Sequence, residues 1–212
     1  MRKAVYSMLL LMLFLPVHAQ QDTVGHSPWN HVWAPATGTL LVATGSAFTF
    51  VPEMKNVAVD LRDAIQADGH ERLLFDNYLQ YLPAITAPVL NLCGVESKHG
   101  IRKMLLLEGG SYLLGSTLLY AGKYGLGVLR PDGRARTSFP SGHTFTAFTG
   151  AEVLRHEYGD DYPWLVVAGY AVATLVGAMR IYNNRHWVGD VLAGAGLGIL
   201  SVNVTYWIFD KR

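Results

Sequence analysis

Apolar residues along this chain gather into runs separated by short polar breaks: 36–51, 82–95, 104–121, 144–158, 164–179 and 188–209. Strand-type alternation is nowhere sustained, and most of the runs are long enough for several helical turns, so each predicts a helix. Residues 55–81 are polar and charged, but Val57, Val59, Leu61, Ala64 and Ile65 suggest one amphipathic helix among them. Gly194 and Gly198 give a small-xxx-small spacing inside the last run, which lets two helix backbones approach closely. No repeat, low-complexity tract or internal boundary interrupts the pattern. The expected architecture is all-α: an antiparallel bundle of five to six helices in one domain, residues 21–212.

Residues 1–20 read as a secretory signal. Arg2 and Lys3 precede a mostly apolar stretch, and Val17-His18-Ala19 ends on a small residue. Spanning a bilayer needs about 20 mainly apolar residues. The 104–121 and 188–209 runs approach or meet that length despite Glu108 and Asp190, whereas 82–95 is short and broken by Pro83 and Pro88. A membrane-embedded bundle is expected, with a soluble exported bundle as the alternative.

Composition narrows the function classes. The 212 residues carry 17 Lys+Arg and 16 Asp+Glu, half are apolar, and the mean hydropathy is +0.21. That near-neutral balance excludes a nucleic-acid binder driven by bulk charge, and the apolar content excludes disorder. A single cysteine, Cys93, excludes an internal disulfide or a Cys-rich metal site. No cofactor, metal or obligate protein partner is expected.

Three stretches contain residues that helix packing does not require: Lys123 to Arg130-Pro131, Phe139-Pro140-Ser141-Gly142-His143, and Arg180 to His186 and Asp190. The first follows the 104–121 helix and the second precedes the 144–158 helix, so both lie at one end of the bundle. The next helix returns the chain to that near end, delivering Arg180, His186 and Asp190. Lys123, Arg130 and Arg180 would repel one another unless they share an anion, and the arginine fork suits phosphate oxygens. The amides of Ser141, Gly142 and His143 open a helix, whose positive end also favours an anion. His186 and Asp190 are spaced i, i+4 on one helix face, so the carboxylate orients the imidazole and stabilises its cation. His186 is therefore the expected nucleophile, and His143, from another helix, the acid that protonates a leaving oxygen.

Other features are read more plainly. His156 is a satisfied polar residue, and His26, His31, His70 and His99 are ordinary surface histidines; Arg185, Asn183 and Asn184 stay outside the core site. Gly122-Lys123 lacks the rest of a P-loop, His156-Glu157 lacks the second histidine of a zinc-protease helix, and no nucleophile elbow is present. Asn203-Val204-Thr205 is a chance glycosylation triplet inside an apolar helix.

Together the three stretches resemble the type 2 phosphatidic acid phosphatase superfamily, whose signature is K-x6-RP, PSGH and SR-x5-H-x3-D. All spacings match, with Met179 where the family has Ser or Thr before the arginine. The resemblance covers residues 104–209. It implies a helical bundle and metal-free hydrolysis of phosphate esters through a phosphohistidine on His186. It also implies a phosphate cradle of Lys123, Arg130, Ser141, Gly142 and Arg180, with His143 as acid and Asp190 behind the nucleophile. Membrane lipid phosphatases, soluble acid phosphatases and vanadium-dependent haloperoxidases share these blocks. The short, apolar chain favours the first, with a lipid monophosphate or pyrophosphate as substrate. A non-catalytic membrane interaction protein would not need this set of cations and histidines.

Parity gives an expected orientation. With an exported leader, 36–51 crossing, 82–95 not crossing and the last four helices crossing, the near end faces the periplasm from the inner membrane. Nine cations then lie inside (Lys55, Arg62, Arg72, Lys98, Arg102, Lys103, Arg155, Lys211, Arg212) and three outside (Arg134, Arg136, Arg185), in line with the positive-inside tendency.

Overall fold

The structure is a computed structural model that describes residues 30–210; the expected leader, 1–20, lies outside the described residues. Among the described residues there are helices and no strands. They are α1 (Asn30–Phe50), α2 (Pro52–Gln66), α3 (Asp76–Leu79), α4 (Leu82–Leu92), α5 (Gly100–Leu126), α6 (Gly142–Tyr158), α7 (Pro163–Tyr182) and α8 (Val188–Phe209). The six apolar runs became α1 and α4 to α8. The amphipathic stretch supplied α2, and a single turn that periodicity does not reveal supplied α3.

Local chemistry sets several boundaries. Pro52 and Pro163 sit in the first turns of α2 and α7, where a missing N–H costs nothing. α5 stops at Gly127, whose φ of 59° is the left-handed conformation that glycine adopts without a Cβ penalty. At the start of α8 the Asp190 carboxylate reaches back to the Trp187 N–H at 2.8 Å.

α8 is the hub, packed against α1, α5, α6 and α7. Its two glycines allow this: a Cβ on Gly194 would lie 2.5 Å from the Ser141 carbonyl oxygen, and one on Gly198 2.9 Å from that of Phe145. The small-xxx-small spacing thus brings the α6 and α8 backbones into contact beside the second motif. Three apolar layers fill the bundle. Met104, Val153, Leu154, Tyr158, Val202 and Tyr206 form the far layer, Ala147, Ala151, Ala173, Val176 and Ile199 the middle one. At the near end Ala58 and Leu61 of α2 pack on Ile181, Val188 and Val191. His99, expected at the surface, belongs instead to a polar clasp at the far end, where His156 is the satisfied polar residue expected, partnered by Arg155 and Asn203. His99 bridges Glu157 and Asp210 at 2.9 Å each, and His156 stacks on Tyr206.

α7 and α8 are long and apolar enough to cross a bilayer; α1 and α2 pass only as a pair, bent by 86° at Val51. Leu106, Leu113, Trp164, Trp207 and Phe209 are exposed on the flanks, an outer surface suited to lipid. The observed path differs from the one the parity argument assumed. α1 runs antiparallel to α8, since Gly38 meets Gly196 and Gly45 meets Gly189, so α1 ends at the near end. α2 and α3 stay there, and 82–98 then runs to the far end, where the Lys98 N–H donates to the Glu157 carbonyl. A leader that placed residue 30 outside would put the near end inside. Arg62 and Arg72, counted with the far-end cations, lie instead beside Trp187 and Asp132 at the near end. Their placement reduces the counted bias from nine against three to seven against five. The short, proline-broken 82–95 run misled the count because neighbouring helices, and not its own length, carry it from one end to the other.

Candidate active site

The near end gathers residues from all three motifs. The loop after α5 is held by the Arg130 N–H donating to Ala135 O (2.9 Å), the Ser138 N–H donating to Val128 O (2.9 Å) and the Trp187 indole donating to Leu129 O (2.8 Å). Lys123, in the last turn of α5, is buried and donates from Nζ to Thr137 O at 2.9 Å. These bonds fix the loop that presents Arg130.

His186 and Asp190 meet as their spacing predicts. His186 Nδ1 lies 3.3 Å from Asp190 Oδ2, and both side chains are buried. The same oxygen accepts from Ser138 Oγ at 2.5 Å and from the Trp187 N–H at 2.8 Å, while Oδ1 has no hydrogen-bond partner among the described residues. With Nδ1 turned to the carboxylate, Nε2 is the nitrogen left for chemistry. Burial pushes the His186 imidazole down to about 4. Lys123 and Arg180 add to the shift, and Asp190 opposes it. At neutral pH the ring is an uncharged base.

Arg180 donates from Nη1 to Asp76 Oδ2 at 2.5 Å, both residues being buried. His143 Nε2 donates to Asn77 Oδ1 at 2.9 Å. His143 lies within electrostatic reach of Arg180, His186 and Arg130, and Lys123 within reach of Arg130, Arg180 and Asp190. The buried Nε atoms of Arg130 and Arg180 have no hydrogen-bond partner among the described residues. Gly142 and His143 open α6, where helix geometry leaves their N–H groups without an intrahelical acceptor. The Ser141 amide, expected among those free donors, is instead bonded to the Asp190 carbonyl at 2.9 Å, and its hydroxyl accepts from Thr144 Oγ1 at 3.0 Å. Ser141 joins α6 to α8, and the anion-binding amides reduce to the two that follow it.

A cleft of about 160 Å³ opens beside this cluster, lined by Arg72, Leu74, Asp76, Asn77, Arg130, Arg180, Asn183 and Arg185. Sequence reasoning missed Ser138, Asp76, Asn77 and Arg72. Ser138 had a weak signal, as a polar residue just before the second motif. The other three come from 67–79, where neither periodicity nor spacing marks them. Asn183 clamps that segment, accepting from the Leu73 N–H at 2.9 Å and donating to Leu73 O at 2.7 Å.

Arginines with unpartnered Nε atoms beside two hydrogen-bonded imidazoles, on a helical bundle with two membrane-length helices, are what fold and candidate site bring together among the described residues. Residues 122–212, which carry all three motifs, match the family model of the PAP2 superfamily. The chain is 36% identical over 234 aligned positions to the lipid A 1-phosphatase of Porphyromonas gingivalis, covering 99% of this chain and 52% of that protein. It is 34% identical over 110 positions to phosphatidylglycerophosphatase B of Bacillus subtilis, covering 46% of this chain and 52% of the relative. The chain thus spans about half the length of these curated relatives. Among solved structures it resembles Aquifex aeolicus LpxE, with a TM-score of 0.55 and 26% identity over 70% of this chain and 94% of that one.

Proposed function

We propose that this protein is a membrane-embedded phosphatase that hydrolyses phosphate esters of lipids at its near end through a phosphohistidine on His186. The observation that carries this reading is the His186–Asp190 contact of 3.3 Å beside the unpartnered Nε atoms of Arg130 and Arg180. A nucleophile and an anion cradle then address the same group.

In the first step the Nε2 lone pair of His186 attacks phosphorus and the bond to the leaving oxygen breaks. His143, which becomes an imidazolium once the anionic substrate offsets Arg180 and Arg130, gives its Nε2 proton to that oxygen, which replaces Asn77 Oδ1 as the acceptor, and is left as neutral imidazole. In the second step water attacks phosphorus and the phosphorus–nitrogen bond breaks, His143 takes the water proton, and phosphate leaves with His186 restored. Asp190 stabilises the imidazolium character that develops on His186 in both steps. Arg130, Arg180, Lys123 and the α6 amides stabilise the equatorial oxygens of the transferring group. Such a cationic cradle repels a metal ion, so chelators are expected to leave the rate unchanged, and vanadate, a phosphate mimic, to inhibit.

Lipid substrates are supported by the two membrane-length helices, by the apolar flanks and by the relatives, a lipid A 1-phosphatase and a phosphatidylglycerophosphatase. The test is phosphate release from a panel of lipid and small soluble esters, after carbonate washing of membranes. Activity on lipids in the pellet supports the proposal. Protein in the supernatant acting on small esters contradicts the lipid assignment and supports a soluble acid phosphatase.

A further inference from the structure

The cleft is lined by more arginines than the signature motifs supply. Arg130 and Arg180 come from the signature motifs, whereas Arg72 and Arg185, which line the same space, do not. These two share one carboxylate oxygen: Asp132 Oδ2 is 3.2 Å from Arg185 Nη1 and 3.5 Å from Arg72 Nη2. The other oxygen, Oδ1, accepts from the Arg134 N–H at 3.1 Å, so neither arginine has the two-point carboxylate partner that suits its fork. Asp132 is 4% exposed, whereas Arg72 and Arg185 keep about a third of their side-chain surface open, at 32% and 28%. A single shared acid positions the pair and leaves its donors and its surplus charge available to the cleft.

We propose that Arg72 and Arg185, anchored on Asp132, form a second anion subsite that selects substrates with a further phosphate beside the scissile one. Asp132 follows Arg130-Pro131 directly, so the loop that presents the first anion site also positions the second. The cleft, at about 160 Å³, lies below the roughly 300–1,000 Å³ of sites that enclose a whole small-molecule ligand, as suits a charged head whose apolar body stays outside. The shared chemistry is a second phosphoryl group, linked either through oxygen to the scissile phosphorus or to another position of the head.

The inference rests on the phosphatase reading above, and its test separates the two. Steady-state kinetics would compare a polyprenyl diphosphate with its monophosphate, and a bisphosphorylated lipid-linked disaccharide with its one-phosphate form, in wild type, Arg72→Gln and Arg185→Gln. Wild type is expected to favour the two-phosphate member of at least one pair. Each variant is expected to reduce that preference tenfold or more, through KM and not kcat, with Arg185→Lys restoring part of it. The pair that responds identifies how the second phosphate is linked. If the variants slow both members of each pair equally, the arginines only hold the loop and the subsite is overturned, with the phosphatase reading intact. If no substrate releases phosphate, binding of methylenebisphosphonate relative to inorganic phosphate still decides. An unchanged ratio in Arg185→Gln overturns the subsite, and a tenfold loss supports it.

Discussion

At the scale of single residues, the site depends on how each charge is partnered. Asp190 Oδ2 accepts three hydrogen bonds, from Ser138, Trp187 and His186, so it is fixed before any substrate arrives. Asp190→Asn removes the charge that stabilises His186 as it becomes positive and is expected to lower kcat by about 10³–10⁴-fold, measured as phosphate release. Arg130→Ala removes a cradle cation and should cost about 10²–10³-fold. The pH profile follows from the depressed His186, near 4 against an ordinary value of about 6.5. Attack needs the neutral ring, so the acid limb of kcat/KM, which reports the free enzyme, should fall near that lower value. A bound phosphate offsets Lys123 and Arg180 and raises the imidazole again, so the acid limb of kcat should lie at higher pH. Coincident limbs near 6.5 would contradict this environment for His186.

At the scale of elements, the site is a meeting of helix ends. The spacing of Lys123, Arg130, His143, Arg180, His186 and Asp190, with helix parity, was enough to bring them to one mouth from sequence. What spacing did not reveal is the cover formed by α2, α3 and the segment between them. Asp76 and Asn77 hold Arg180 and His143, yet they lie in the single turn α3, too short to show a period, and no local pattern encodes a partner 104 positions away. The same limit applies to Ser141, whose amide is committed to α8 by a contact that only the α6–α8 approach creates. That approach is itself testable. A Cβ on Gly194 would lie 2.5 Å from Ser141 O, against backbone that cannot step aside, so Gly194→Ala should destabilise the fold by about 1–3 kcal/mol and lower activity by displacing Ser141. Thermal unfolding read alongside phosphate release checks both effects, and an unaltered variant would show that the two helices are not so close.

At the scale of the whole molecule, apolar run lengths gave the helix order, but the path between the ends could not be read from them. α4 has 11 residues, yet 82–98 joins the near end to the far end by packing along α6, with the Tyr158 hydroxyl donating to Ala87 O at 2.8 Å. The result is a bundle whose candidate site residues cluster at one end, while His99, Lys103, Glu157 and Asp210 clasp the other. Every chemical step proposed for this bundle passes through one atom, Nε2 of His186. The most direct measurement is a rapid-quench experiment with a phosphoryl-labelled lipid, followed by mapping of the labelled residue. The expected result is an acid-labile, alkali-stable label on His186 that forms and decays at the rate of turnover and is absent from His186→Ala, which also releases no phosphate. Turnover with the label on another residue, or phosphate release by His186→Ala at the wild-type rate, would contradict it.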